Sequence, residues 1–154
     1  MKLLKITFIA LFSVLGFVLP AFADQELQTA QKEAFLAFDT NQDGAATANE
    51  MVDGLFAIFA ASDSDQNGSV SLDEFKTISL GYAFVAEKTG KLAAYEASRV
   101  VIFNRWDKNA DGKLTPPEMV GGSMLETLES AKFALSREDF FKTKYVMEMT
   151  DSLK

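Results

Sequence analysis

Three twelve-residue segments of the chain carry oxygen-bearing side chains at the same alternating places. They span residues 39–50, 63–74 and 107–118, and read DTNQDGAATANE, DSDQNGSVSLDE and DKNADGKLTPPE. Each has an oxygen side chain at its first, third, fifth and ninth places, glycine at its sixth and glutamate at its twelfth. A hard divalent cation such as calcium takes about six to eight oxygen ligands, so a tightly wound loop must turn alternate residues inward. The spacing therefore predicts three calcium sites.

The predicted ligands in each segment are five side chains and the carbonyl of the seventh residue, with the final glutamate giving both oxygens. The ninth side chain binds directly or through water. In chain order the predicted ligands are Asp39, Asn41, Asp43, Ala45, Thr47, Glu50, Asp63, Asp65, Asn67, Ser69, Ser71, Glu74, Asp107, Asn109, Asp111, Lys113, Thr115 and Glu118. Every segment offers three carboxylates, but Lys108 and Lys113 add positive charge to the third. We therefore expect two to three bound Ca²⁺ ions, with the third segment binding most weakly.

The three segments closely resemble the calcium loop of the EF-hand family. This resemblance implies an all-α fold of helix–loop–helix units. It also implies that the hands associate in pairs, each pair joined by a short two-stranded β-bridge. We number the segments loop 1 (39–50), loop 2 (63–74) and loop 3 (107–118).

Helix signals flank every loop. Aromatic residues stand one or four places before the first ligand, which puts an apolar ridge on an incoming helix; they are Phe35, Phe38, Phe59, Phe103 and Trp106. Thr47 with Glu50, and the matching pairs in the other loops, form capping boxes that begin the outgoing helices. Trp106 is the only tryptophan and precedes Asp107, so its fluorescence is expected to report ion entry into loop 3.

A fourth, degenerate loop is predicted over residues 128–139. Leu128, Ser130 and Lys132 occupy its leading ligand places, and Phe133 replaces the glycine. This segment cannot hold calcium in the usual way, because Lys132 brings a positive charge where an anion is needed. Its expected role is to pair Leu135 with Leu114 of loop 3; the alternative is a plain helix N-terminus.

Pairing of neighbouring loops predicts two lobes. Residues 24–88 would hold loops 1 and 2, and residues 91–152 would hold loop 3 and the degenerate loop, with a break at 88–91. Only 12 residues, 51–62, separate loops 1 and 2, and Gly54 is expected to divide them into two short helices.

Such short spacing between loops occurs among small exported bacterial EF-hand proteins. The spacing, together with a signal for export, resembles that of the lanmodulins, which are periplasmic lanthanide binders. The loops lack the proline at the second place and the acidic ninth residue of that group. Thr40, Ser64 and Lys108 stand at the second places. Lanthanide binding is therefore a less favoured alternative to calcium binding.

The first 23 residues have the composition of a signal peptide. Lys2 and Lys5 precede an apolar run from Ile6 to Leu19, and small residues flank Phe22 before a cleavage site after Ala23. The alternative is a membrane anchor, but the 14-residue run falls short of the roughly 20 residues that a spanning helix needs. We expect a periplasmic or secreted protein with no membrane span after cleavage.

Composition narrows the possible partners. Losing Lys2 and Lys5 takes two positive charges from the net charge of −7, leaving −9, which disfavours nucleic acid. The chain contains neither histidine nor cysteine, so histidine acid–base chemistry, thiol nucleophiles and disulfides are excluded. We expect a binding protein and not an enzyme.

Two functional classes stay open. The chain is either a calcium-dependent interaction module with an apolar groove for a protein partner, or a calcium buffer or calcium-stabilised structural protein with no partner. The groove would be lined by methionine and phenylalanine side chains, although ordinary core packing is the favoured explanation for them; they are Met51, Phe56, Phe84, Met119, Met124, Phe141, Met147 and Met149.

Overall fold

The computed structural model describes residues 18–128 and 134–154, with side chains described for 24–127 and 134–154. Short antiparallel strands alternate with helices, which confirms the predicted helical fold with two-stranded bridges. The elements are α1 (Val18–Leu36), β1 (Ala45–Thr47), α2 (Ala48–Ser62), β2 (Val70–Ser71), α3 (Leu72–Phe75), α4 (Tyr82–Lys88), α5 (Leu92–Trp106), β3 (Lys113–Leu114), α6 (Pro116–Leu128), β4 (Ala134–Ser136), α7 (Arg137–Phe140) and α8 (Lys144–Asp151).

The order of elements repeats once along the chain. An incoming helix, a strand, a long helix, a second strand, a four-residue helix and a further helix form the first half, from α1 to α4. The same order runs from α5 to α8. In each half the long helix, α2 or α6, leaves one loop and enters the next.

The helix between loops 1 and 2 is continuous, so the predicted break at Gly54 is wrong. α2 runs unbroken from Ala48 to Ser62. A Cβ on Gly54 would lie 2.6 Å from Cδ1 of Phe38, just beyond the end of α1. A glycine inside a helix costs only about 1 kcal/mol relative to alanine. Gly54 therefore allows a close approach of two segments and does not end the helix.

The loops pair differently from the prediction. β1 pairs antiparallel with β4, placing Ala46 opposite Leu135, and β2 pairs with β3, placing Val70 opposite Leu114. Loop 1 therefore lies beside the degenerate segment, and loop 2 lies beside loop 3. The predicted pairing of loop 1 with loop 2, and of Leu135 with Leu114, is wrong.

The length of the shared helices explains this pairing. α2 has 15 residues and is therefore about 22 Å long, whereas bridged strands lie about 5 Å apart. Loops at opposite ends of one such helix cannot form a bridge. Instead α2 and α6 pack against each other, and each end of this helix pair carries one bridge.

The hydrophobic core crosses the predicted boundary between lobes. The chain does turn at residues 89–91, between α4 and α5. One cluster of buried side chains nevertheless extends from Ala30 to Leu153. Each predicted lobe, 24–88 and 91–152, contributes one strand to each bridge.

At each end of this core, one phenylalanine ring packs on two aromatic rings from the segment that enters a loop. Beside loop 1, the ring of Phe140 packs on Phe35 and Phe38, with centroids 5.7 and 5.4 Å away. Beside loops 2 and 3, the ring of Phe75 packs on Phe103 and Trp106, with centroids 5.6 and 5.8 Å away. Phe140 and Phe75 each follow the last residue of a loop, so the loops and the core are directly joined.

Candidate metal centres

The first aspartate of each loop organises the backbone that follows it. Asp63 accepts hydrogen bonds from the backbone N–H groups of Asn67 at 3.0 Å and Gly68 at 2.9 Å. Asp39 and Asp107 accept the equivalent pairs in their loops, at 2.9–3.2 Å. The three loops therefore share one backbone conformation, as their sequences predict.

Two residues in each loop have positive φ. The sixth-place glycines have φ between 79° and 90°, which explains why glycine is needed there. The fourth-place residues Gln42, Gln66 and Ala110 also have φ of 57–58°. Neither glutamine nor alanine favours this left-handed region, so sequence analysis missed these positions.

The last glutamate of each loop reaches back across it. In loop 2, Oε1 of Glu74 accepts from the N–H and hydroxyl of Ser64, both at 2.9 Å. Its Oε2 accepts from the N–H and hydroxyl of Ser71, at 2.9 and 2.8 Å. Glu50 makes the matching bonds to Thr40 and Thr47, and both glutamates complete capping boxes. Oε2 of Glu118 likewise accepts from the N–H and hydroxyl of Thr115.

These hydrogen bonds keep the glutamates ionised. The backbone N–H of Thr47, followed by its hydroxyl, lowers the pKa of Glu50 to about 2. The same donors on Ser71 lower the pKa of Glu74 to about 2, and those on Thr115 lower the pKa of Glu118. All three side chains are therefore anions at neutral pH, the form that a cation requires.

Loop 2 brings its carboxylates closest together. Oxygen atoms of Asp63, Asp65 and Glu74 lie within 4.8 Å of one another, and this is the only such carboxylate group among the described residues. An all-oxygen anionic set suits calcium, which is a hard cation. The predicted loop 2 residues therefore fit the ion, with Asn67 donating its amide to Asp65 at 2.7 Å.

Loops 1 and 3 differ from loop 2 at the third place. Asn41 and Asn109 stand where loop 2 has Asp65, and each donates its amide to the fifth-place aspartate at 3.1 Å. Their three carboxylates do not meet the spacing found in loop 2. The ninth-place hydroxyls of Thr47 and Thr115 donate to the glutamates. Direct ligation by the ninth side chains and by the carbonyls of Ala45, Ser69 and Lys113 stays a prediction.

Loop 1 has a distinctive environment. The side chain of Asp39 is 3 % exposed, whereas Asp63 and Asp107 are half-buried. Lys32 and Arg137 line the surface cleft that also contains Asp39, so positive side chains border this loop. Arg137 follows β4, the strand paired with loop 1.

The degenerate segment is only partly described. Leu128 is the last residue of α6, and the predicted positions Ser130, Lys132 and Phe133 lie outside the described residues. At the other end, Ser136 caps α7 by accepting from the N–H of Asp139 at 3.2 Å. A helix therefore begins directly after Ser136.

Comparisons with known proteins agree with this geometry. The family model described as EF hand matches residues 31–54 and 56–79. The chain is 33% identical over 119 residues to the mitochondrial adenyl nucleotide antiporter SLC25A24 of Mus musculus. It is 33% identical over 127 residues to the antiporter of the same name from Oryctolagus cuniculus.

These matches concern only a part of each relative. They cover 68% and 73% of the chain but 22% and 24% of the two antiporters. The chain thus spans about a quarter of the length of the curated relatives that it matches. No solved structure matches the chain. Among the described residues, no helix combines the length and the apolar composition needed to cross a membrane.

Proposed function

Since this chain belongs to the EF-hand family, whose loops bind calcium, we propose that it binds up to three calcium ions, in loops 1, 2 and 3. The convergence of Asp63, Asp65 and Glu74 carries the proposal, and it favours loop 2 as the tightest site. Loop 3 is the weakest, because the exposed Lys108 and Lys113 add positive charge beside its ligands. The degenerate segment binds no ion.

Isothermal titration calorimetry on chelator-treated protein tests this function. The native chain should bind three ions, and Glu50→Gln, Glu74→Gln and Glu118→Gln should each remove one. Asp53→Asn, outside the loops on α2, is the matched control and should leave the stoichiometry unchanged. Failure of the native chain to bind calcium at about 1 mM, the upper range for exported modules, would refute the proposal.

We propose that the bound ions stabilise the fold and that the protein acts without a protein partner. Met51 and Met119, two members of the predicted apolar groove, lie in the core at 1 % and 2 % exposure. Ligand binding to the folded state alone raises its stability by mass action. Calcium at 100 times its dissociation constant would add about 2.7 kcal/mol for each independent site. No disulfide contributes, because the chain has no cysteine.

A calcium-dependent interaction module is the second candidate. Three residues of the predicted groove, Phe56, Phe84 and Met147, are between 41 % and 49 % exposed and are available to a protein partner. An apolar dye distinguishes the two functions. Its fluorescence should stay constant on calcium addition if the ions only stabilise the fold, and should rise if a groove opens.

We propose that the first 23 residues direct export and that the mature chain acts in a periplasm or outside the cell. The support is the sequence alone: two lysines, an apolar run and small residues before Asp24. Mass spectrometry of the protein from the periplasm of a bacterial host should give a chain beginning at Asp24. A chain that stays in the cytoplasm with residues 1–23 still attached would contradict export. In that compartment we propose ion binding without catalysis.

A further inference from the structure

We propose that Arg99 is a positioning residue that couples calcium binding in loop 2 to calcium binding in loop 3, while loop 1 fills independently. The inference rests on the proposed function, because it concerns ions in these loops. It assigns cooperativity to loops whose last predicted ligands, Glu74 and Glu118, are 44 positions apart, and not to the neighbouring loops 1 and 2. Loops 2 and 3 share a β-bridge, whereas loops 1 and 2 are joined by the helix α2.

Arg99 joins the helix that enters loop 3 to the helix that leaves loop 2. It lies on α5 and is 2 % exposed. Its guanidinium donates to the carbonyl of Lys76 at 2.8 Å and to the carbonyl of Phe75. The last carbonyls of a helix have no partner within it, so Arg99 supplies one at the end of α3. Phe75 directly follows Glu74, so a shift of this ligand displaces the atoms that Arg99 holds.

Ring contacts make a second connection between the same loops. The guanidinium of Arg99 lies 5.3 Å from the centroid of the Phe75 ring. That ring packs edge-on against Trp106 at 5.8 Å, and Trp106 is the residue before Asp107. A path of direct contacts thus runs from the last ligand of loop 2 to the first ligand of loop 3.

Among the residues that the structure describes, loop 1 has no comparable connection to a second predicted ion site. Its bridge joins it to β4, which belongs to the segment without a full ligand set. It shares α2 with loop 2, and this helix holds the two loops about 22 Å apart. Coupling through the β2–β3 bridge therefore predicts cooperative binding in loops 2 and 3, whereas coupling through α2 would predict it in loops 1 and 2.

Calorimetry on chains in which only one or two of the loops keep their last glutamate distinguishes coupling through the bridge from coupling through α2. Glu50→Gln leaves loops 2 and 3, and Glu118→Gln leaves loops 1 and 2. Chains with two such substitutions give the affinity of each loop alone. In the Glu50→Gln chain, the product of the two association constants should exceed the product from the single-loop chains by about fivefold or more. In the Glu118→Gln chain the two products should agree within about twofold.

Arg99→Lys then tests the residue itself. In the Glu50→Gln chain it should reduce the coupling to within about twofold, because lysine cannot hold both carbonyls in the same geometry. The affinity of loop 2 alone should stay unchanged, which a merely destabilising substitution would not produce. If circular dichroism shows that Arg99→Lys does not fold, Phe75→Leu tests the ring contact with the same expected result.

Trp106 fluorescence gives an independent readout. In the Glu118→Gln chain, filling of loop 2 should still change the emission, so Trp106 reports on both loops. Independent sites in the Glu50→Gln chain, or coupling in the Glu118→Gln chain, would overturn the inference and leave calcium binding intact. Absence of calcium uptake by the native chain would instead overturn the proposed function.

Discussion

The indole nitrogen of Trp106 donates a hydrogen bond of 2.8 Å to a carboxylate oxygen of Glu126. The same carboxylate accepts two bonds from Arg105, at 2.6 and 3.1 Å. Arg105 also pairs with Glu148 of α8 at 2.8 Å. Because Trp106 ends α5 and Glu126 lies on α6, this partly buried network fixes the two helices that flank loop 3.

Replacing Glu126 with glutamine should lower the free energy of unfolding by about 1–3 kcal/mol, because Arg105 loses a charged acceptor in a buried setting. Denaturant unfolding followed by tryptophan fluorescence measures the change. Glu138→Gln is the matched control, since Glu138 is 80% exposed in its ion pair with Lys142 and should change stability by less than about 0.5 kcal/mol. Equal effects of the two substitutions would show that the network adds no stability.

Two adjacent glycines of α6 should respond oppositely to alanine. A Cβ on Gly122 would lie 2.6 Å from the Trp106 ring, whereas a Cβ on Gly121 would meet nothing within 4 Å. Gly121→Ala should stabilise the chain by about 0.5–1 kcal/mol through helix propensity. Gly122→Ala should destabilise it, because overpacking of about 1–3 kcal/mol exceeds that gain. Thermal unfolding of the calcium-free protein compares them, and a stabilising Gly122→Ala would contradict the close contact.

Ala110→Gly should stabilise loop 3. Ala110 has φ of 57°, a conformation that costs a residue with a Cβ about 1–2 kcal/mol. Glycine removes this strain but adds backbone entropy to the unfolded chain, so we expect a net gain of about 0.5–1 kcal/mol. Ala45→Gly, in the extended β1, is the control and should destabilise the protein. Denaturant unfolding checks both, and a loss of stability in Ala110→Gly would contradict the expected relief of strain.

The tyrosines should resist ionisation in the folded chain. Burial raises the pKa of Tyr82, Tyr95 and Tyr145 above the ordinary value of 10.0. A raised folded-state pKa adds stability that is fully present below pH 10 and is lost as pH rises through the folded values. Phenolate absorbance should therefore appear only above pH 10, together with loss of helical circular dichroism.

The chain unfolded in urea provides the control for this titration. Its tyrosines should ionise near pH 10, the value for the free side chain. Ionisation of all three tyrosines at that pH, with helical structure retained, would contradict their burial.

Local features of this protein were predictable from sequence because their causes are local. The shared loop conformation, the caps formed by Glu50 and Glu74 and the aromatic residues before each loop all follow from spacing within about twelve residues. The prediction that neighbouring hands pair is wrong, because each strand pairs with a strand from the other half of the chain. The length of α2 alone excludes the pairing of loop 1 with loop 2, since its ends lie about 22 Å apart.

Other features depend on contacts between distant residues. The contact of Gly54 with Phe38 involves another element, so the local sequence indicates only a helix break at this glycine. Arg99 and Glu126 carry no sequence signal, since their partners lie 20 to 24 positions away. The left-handed residue at the fourth place also has no signature, because Gln42 and Ala110 are ordinary side chains.

Because α2 leaves loop 1 and enters loop 2, its length fixes the rotation of one loop relative to the other. Each added residue turns a helix by about 100° and lengthens it by about 1.5 Å. A one-residue insertion in α2 would rotate loop 2 away from β3 whenever loop 1 stayed aligned with β4. Substitutions on the exposed side of α2 are compatible with both bridges. Any change in the number of residues in α2 would instead prevent β1 and β2 from aligning with β4 and β3 at the same time.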